Sequence, residues 1–168
     1  KGATPTRTLK LKLAGEAYQG PPGFVVRLFH EGGVWLSDRY LLASARDTER
    51  LGRYKNEADW IWETVELGIP NDLKGISKLE VYFGPDAAGN GGDRNLFVGA
   101  VQWDGLTIPG AMGRQSPGCR GDADGKTRHP ERLYCSGNLR FDLNEIRAAV
   151  AKNDEKPVAN PTDVLTKE

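Results

Sequence analysis

The sequence predicts an all-β fold, an antiparallel β-sandwich followed by one short helix on its C-terminal side. Apolar residues occur in many short runs with strand-like alternation rather than in long helical patterns. Turn signals separate these runs at intervals of about 8 to 12 residues, and 21 of the 168 residues are glycine. A parallel α/β fold would need helices between the strands, and no such helices are indicated.

The first half of the chain begins with a clear strand pattern. Leu9, Leu11 and Leu13 alternate with polar residues, as in a strand with one face in water. Residues 1–7 are expected to be a disordered lead, and residues 37–59 indicate no element except a helical turn within 43–51. The strands predicted here are residues 8–13, 24–29, 34–36 and 60–67, with a hairpin turn at 30–33.

The second half ends in the predicted helix. Asp142 can cap its first turn, with Glu145 three residues later, and Leu143, Ile146 and Val150 share one face. The strands predicted before it are residues 78–83, 96–103, 133–134 and 139–141, and no role is indicated for residues 109–130. The predicted organisation is a sandwich over residues 8–141, a helix over 142–152 and a linker or tail over 153–168.

Charge and hydropathy exclude several classes of partner. Lys plus Arg and Asp plus Glu both number 23, so the formal net charge is zero. Nucleic acids and anionic membranes attract proteins with net or clustered positive charge, so neither is expected as a partner. No apolar run approaches the roughly 18 residues of a membrane span, so a soluble chain is expected.

A loop rich in oxygen ligands lies between two predicted strands, at residues 84–95. Its glycines permit positive φ angles, and Asp86, Asn90, Asp93 and Asn95 supply side-chain oxygens at short spacing. Hard cations such as calcium prefer this combination, although Gly, Asn and Asp are also the usual residues of exposed turns. The spacing is not that of an EF-hand.

The two cysteines, Cys119 and Cys135, enclose a segment with little apolar content. Such a segment cannot be ordered by burial, and a disulfide would constrain it with about 3 kcal/mol in the chain-entropy model. The alternative is a pair of independent, reduced thiols. A disulfide would imply a secreted or periplasmic location.

Two segments together resemble a known family. The runs GDRNLFV (92–98) and ERLYCSG (131–137) are similar to motifs of calcium-dependent carbohydrate-binding modules, in particular the xylan-binding families thirty-six and sixty. Residues 83–105 match the family's order of strand, acidic loop, arginine turn and strand. Cys119, Glu131 and Cys135 match a family-sixty segment whose cysteine pairs with an upstream one.

The resemblance implies a jelly-roll-like sandwich that holds calcium in its loops and binds vicinal sugar hydroxyls through the ion. By position it assigns Asp86 and Glu131 as metal ligands, and Asp93 or Asn95 would complete the set of side-chain ligands. The same acids, Asp86, Asp93 and Glu131, would lie at the sugar. Tyr134 is the aromatic residue expected nearest the ligand.

Other residues of the site are interpreted more simply. Arg94 is expected to be a solvated turn residue or a brace for the acidic loop rather than to contact sugar. Each tryptophan falls in a strand pattern, so core packing is expected for at least three of the four. The tryptophans are Trp35, Trp60, Trp62 and Trp103.

The predicted function is non-catalytic, calcium-dependent binding of a polysaccharide or oligosaccharide, xylan-like or a related plant glycan. An enzyme is not expected, because no carboxylate pair is marked and neither His30 nor His129 lies near a nucleophile motif. The alternative is a protein-docking or structural module of a larger extracytoplasmic protein, with the ion structural or absent. The C-terminal helix and charged tail suit contact with other domains of such a chain.

Overall fold

A computed structural model describes residues 6–116 and 129–155 of the chain. Its first seven strands are β1 Thr6–Ala17, β2 Gly23–His30, β3 Gly33–Leu36, β4 Tyr40–Leu41, β5 Arg46–Asp47, β6 Glu63–Pro70 and β7 Lys78–Phe83. The other strands are β8 Ala88–Gly89, β9 Gly92–Asp93, β10 Asn95–Trp103, β11 Leu106–Pro109, β12 Arg114–Ser116, β13 Arg132–Leu133 and β14 Gly137–Asp142. The helices are α1 Thr48–Leu51 and α2 Leu143–Glu155, with single 3₁₀ turns at Glu57–Asp59 and Gly110–Met112.

The strands form two sheets and one small hairpin. Sheet A has the order β11-β10-β1-β5, with β6 also pairing with β1 and β13 also pairing with β10. Sheet B has the order β12-β14-β7-β2-β3, with β4 also pairing with β2. All of these pairs are antiparallel except the two-residue pairing of β1 with β5. The separate hairpin joins β8 to β9. The predicted antiparallel β-sandwich is therefore confirmed.

One hydrophobic core fills the space between the sheets. In β1 the predicted alternation is present, because Leu9, Leu11 and Leu13 are fully buried while the intervening residues are exposed. Sheet B contributes Val26 and Phe83 to the same cluster. Each sheet therefore buries one face, and the other face of sheet A carries the polar and aromatic groups described below.

The predicted strand over residues 60–67 is displaced in the structure. β6 begins only at Glu63, so Trp60 and Trp62 precede it. The alternation of the segment was correct, but the first residues belong to a loop held against the outer face of sheet A. β1 begins at Thr6, within the stretch expected to be a disordered lead.

The C-terminal helix forms as its capping residues predict. The backbone N–H of Glu145 donates to the Asp142 side chain at 3.1 Å, and Leu143 and Ile146 are buried. Neither this helix nor any other in the described ranges is long and apolar enough to cross a membrane. Cys119 and residues 156–168 lie outside the described residues, so the Cys119–Cys135 bridge and the tail stay predictions.

Candidate functional site

A group of buried polar side chains lies where the C-terminal end of β1 meets the start of β10. Glu16 pairs in register with Asn95, and their relative exposures are 1% and 0%. The Asn95 Nδ2 donates to Glu16 Oε1 at 2.8 Å and to Asp93 Oδ2 at 2.9 Å. Asp93, in β9, is also buried. One amide therefore holds two carboxylates together.

Arg53 supplies the positive charge of this group. Its Nη2 lies 3.3 Å from Glu16 Oε1 and its Nη1 lies 3.6 Å from Asp93 Oδ2. The second Glu16 oxygen accepts the backbone N–H of Tyr54 at 2.8 Å. We refer to Glu16, Arg53, Asp93 and Asn95 as the polar cluster.

A short helix fixes the loop that carries Asp93. Asp47 caps α1 by accepting the backbone N–H groups of Glu49 and Arg50. The first residue of that helix, Thr48, accepts the Asp93 N–H with its hydroxyl oxygen at 3.0 Å. Because Thr48 Oγ1 also lies 2.5 Å from the Ala17 carbonyl oxygen, α1 ties the β8–β9 hairpin to the end of β1.

An aromatic group adjoins the polar cluster on the outer face of sheet A. Phe97 lies between two core residues of β10 and therefore points to the opposite face. The Trp60 ring stacks on Phe97 at a centroid distance of 4.1 Å, and Tyr134 contacts the Phe97 ring edge-on at 5.8 Å. Trp62 lies beside Trp60 and is 37% exposed.

The prediction that at least three tryptophans are in the core is therefore wrong. Trp103 is in the core and Trp35 packs against it, but Trp60 and Trp62 lie on the outer face. Gly99 has no pairing partner in β1, because Lys12 pairs with Ala100 and Leu13 with Val98. A Cβ atom at Gly99 would lie 2.8 Å from the Trp62 ring. The absent side chain lets that ring rest directly on the sheet.

Arg132 joins the aromatic group to the loop above it. It forms a hydrogen bond and ion pair with Glu57 and lies 5.1 Å from the Trp60 ring centroid. Burial alone would lower the pKa of Arg132, but hydrogen bonds to Glu57 and Tyr134 raise it above its ordinary value. The guanidinium therefore stays charged at any physiological pH.

Two residues of the polar cluster, Glu16 and Arg53, line a common pocket of about 220 Å³ with the aromatic group. The residues lining it share one property, which is that each carries a charged, amide or aromatic side chain. They are Glu16, Arg53, Tyr54, Lys55, Asn56, Glu57, Trp60, Phe97, Arg132 and Tyr134. We call this the outer-face pocket. It offers aromatic side chains together with hydrogen-bond donors and acceptors.

The structure brings some of the predicted ligands together. Asp93 and Asn95 belong to the polar cluster, and Tyr134 lines the adjoining pocket. Asp86 lies before β8, its backbone N–H donating to Ser136 Oγ at 2.8 Å. Its carboxylate accepts the N–H of Ala87.

Glu131 lies further along sheet A. Its carbonyl oxygen accepts the Val98 N–H, and its carboxylate is 3.6 Å from His129 Nδ1. Val98 is three residues beyond Asn95, so this position is about 10 Å from the polar cluster along the strand. Metal binding by Asp86 and by Glu131 stays a prediction.

Arg94 braces the loops, in agreement with its predicted role. Its guanidinium donates to the carbonyl oxygens of Tyr18 and Pro85, each at 3.0 Å, and to those of Gln19 and Gly20. These bonds hold the β1–β2 connection against the acidic loop.

Sequence reasoning missed Glu16, Arg53 and the outward position of Trp60. The available signal was Glu16 itself, a charged residue in the otherwise small and apolar run from Leu13 to Ala17. A carboxylate is rarely buried in a strand without a partner. Arg53 gave no signal, because residues 37–59 have no periodicity from which a partner could be located.

Solved structures establish what this fold resembles. No protein-family model and no curated protein sequence matches the chain. A structure of vCBM60 in complex with galactobiose matches with a TM-score of 0.53 and 16% identity, over 81% of this chain and 98% of that one. The selenomethionine form of vCBM60 matches with a TM-score of 0.52 and 17% identity, over 80% of this chain and 89% of that one; it comes from work on circular permutation as an evolutionary link between two families of calcium-dependent carbohydrate-binding modules.

The predicted resemblance to this family is thus confirmed at the level of the fold. The work on the similar structure describes calcium-dependent modules, and calcium takes about six to eight oxygen ligands. Within the described ranges no group of three or more His, Cys, Asp or Glu is placed to hold a metal. The polar cluster has two such residues, Glu16 and Asp93, and the third oxygen-bearing side chain is an amide.

Two features of the polar cluster nevertheless fit a cation. Asn95 Oδ1 is buried and has no hydrogen-bond partner among the described residues. A positive group, the Arg53 guanidinium, already lies against both carboxylates. Two carboxylates and an amide oxygen are donors of the class that calcium prefers.

Proposed function

We propose that this chain binds an oligosaccharide at the outer-face pocket without cleaving it. The observation that carries the proposal is the joining of partly exposed aromatic rings to convergent charged groups in one pocket. Aromatic rings pack against the apolar faces of sugars, and carboxylates and guanidinium groups exchange hydrogen bonds with hydroxyls. The likeness to a module solved with galactobiose supports the same conclusion.

The aromatic and the charged residues of the pocket have different roles in sugar binding. Trp60 and Tyr134 provide ring surface, supported from below by Phe97. Arg132, fixed between Glu57 and Tyr134, provides hydrogen-bond donors in a set orientation. Since these groups hold one another in place, little side-chain entropy is lost when a sugar binds.

Calcium dependence is the finer part of the proposal. Glu16, Asp93 and Asn95 would hold the ion, and the ion when bound would offer coordination positions to vicinal sugar hydroxyls. Support comes from the oxygen set, from the orphaned Asn95 Oδ1 and from the description of the similar structures as calcium-dependent modules.

Binding is tested by titrating the protein calorimetrically with galactobiose and with xylan oligosaccharides, each with calcium and with EGTA. We expect saturable binding of at least one sugar, lost in EGTA. Trp60→Ala and Tyr134→Ala should weaken it at least about tenfold through lost ring contact. Arg147→Ala, in α2, is the matched control and should bind as the wild type.

The EGTA titration tests calcium dependence, and the variant titrations test the position of the sugar site. Binding that persists in EGTA would remove calcium from it and keep the sugar. Folded variants at Trp60 and Tyr134 that bind as tightly as the wild type would move the site elsewhere. Absence of binding across a glycan panel would favour the docking module predicted as the alternative.

A further inference from the structure

Arg53 occupies the position at which the polar cluster meets solvent. Its side chain is 37% exposed, whereas the Glu16 side chain beneath it is 1% exposed. Its Nε and Nη2 each lie 3.3 Å from Glu16 Oε1. A group approaching the two carboxylates from the pocket would therefore meet the guanidinium first.

The charges of the cluster do not balance. Glu16 and Asp93 carry two negative charges against one positive charge on Arg53, so the described side chains of the cluster sum to −1. The amide of Asn95 uses its N–H groups on both carboxylates and leaves Oδ1 buried without a hydrogen-bond partner in the described part of the chain. Excess buried negative charge favours an added cation, and rotation of the Asn95 amide would present its unsatisfied oxygen to that ion.

We propose that Arg53 is a built-in counter-ion that competes with a divalent cation for Glu16 and Asp93. In the metal-free protein the guanidinium neutralises part of the buried charge and keeps the cluster folded. A calcium ion can reach both carboxylates only when the guanidinium moves away from them, so Arg53 lowers the affinity that the acids alone would give. The inference relies on the proposed function only for the choice of calcium as the ion.

Competition between Arg53 and calcium would alter the sugar affinity of the outer-face pocket. Arg53 lies 5.7 Å from the Tyr134 ring centroid, and the next residue, Tyr54, donates its backbone N–H to Glu16. Movement of the guanidinium therefore changes the surroundings of Tyr134 and Tyr54, which both line the pocket. Calcium and sugar affinities would then be linked, each altering the other by the same factor.

The test is the calcium affinity of Arg53→Met, measured by calorimetry on protein first freed of metal with EGTA. Methionine keeps much of the unbranched length and removes the charge, so we expect calcium to bind at least about tenfold more tightly than to the wild type. Arg53→Lys keeps the charge and should stay within about threefold of the wild type. Arg147→Met makes the same change remote from the cluster and should leave calcium affinity unaltered.

The increase in calcium affinity of Arg53→Met must also require the carboxylates of the polar cluster. In the double variant Arg53→Met, Glu16→Gln the increase should disappear, which separates this site from any other that binds calcium. Circular dichroism verifies folding, and Arg53→Gln replaces the methionine variant if that one does not fold. An affinity unchanged or lowered in both neutral variants, or raised equally by Arg147→Met, would overturn the competition.

Failure of the sugar proposal gives a different result. Tighter calcium binding by Arg53→Met without sugar binding by any variant would leave the competition standing and remove the oligosaccharide. Sugar binding with an unaltered calcium affinity would do the reverse.

Discussion

The two ends of the β1–β10 pair carry arginine–carboxylate groups of opposite balance. At one end, Glu16 and Asp93 share Arg53. At the other, Arg7 and Arg147 share Asp104, at 4.0 and 3.2 Å. The two groups are about 30 Å apart along β1. The group at Glu16 has an excess of negative charge, and the group at Asp104 has an excess of positive charge.

Burial separates them further. Glu16 is almost fully buried, whereas the Asp104 side chain is 50% exposed on the rim of a groove of about 780 Å³. Water solvates Asp104 whether or not its arginines are present, but it cannot solvate Glu16. Under the proposed function, the smaller outer-face pocket, and not the larger groove, is the site at which buried charge selects the ligand.

The largest expected difference is in stability. Glu16→Ala leaves the Tyr54 N–H, the Asn95 amide and Arg53 without their buried acceptor, so we expect a loss of about 3 kcal/mol. Asp104→Ala should change the free energy of unfolding by less than about 1 kcal/mol, because Asp104 is half exposed and water can solvate it and its two half-buried arginines. Chemical denaturation of both variants measures the contrast. Equal losses would show that burial does not distinguish the two groups.

A smaller difference is expected in cation binding. Asp93→Asn removes one of two convergent charges and should weaken calcium at least about tenfold. Asp104→Asn, the same change beside two arginines, should leave calcium affinity within about twofold. Calorimetric titration of both proteins measures this contrast.

Glu131→Ala serves as a third arm of that titration. The Glu131 carboxylate lies 3.6 Å from His129 Nδ1, and an unaltered calcium affinity in this variant would exclude Glu131 as a ligand. A loss as large as that of Asp93→Asn would restore the ligand set that the family resemblance implies.

The smallest effect concerns the helix that carries Arg147. Asp142→Ala removes the acceptor for the Glu145 N–H and should cost about 1 kcal/mol of stability. The cluster at the other end should keep its calcium and sugar affinities, because α2 does not contribute to it. A change in either affinity, measured by the same titrations, would show that the two ends are coupled.

The strands were predictable because their signal is local. The alternation of Leu9, Leu11 and Leu13 and the cap at Asp142 need no information from elsewhere in the chain. The acidic loop was located for the same reason. Its partners were not, since Arg53 and Glu16 meet Asp93 only after strands far apart in sequence have paired.

The tryptophans show the same division in one residue type. Trp103 and Trp60 both occur in strand-like patterns, yet one is in the core and the other stacks on the outer face. Periodicity indicates that a side chain belongs to one face of a strand, but not which face is covered by a second sheet and which by a loop.

By itself the sequence determined the sandwich, its closing helix and the presence of an oxygen-rich loop, because alternation, capping and turn residues act over a few neighbours. Only the tertiary structure decided that Glu16 and Arg53 belong with Asp93, and that an aromatic pocket lies beside them. The physical reason is that the buried Glu16 carboxylate requires a positive partner nearby in the folded chain. That partner, Arg53, lies in the segment 37–59, which has no periodicity from which its position could be predicted.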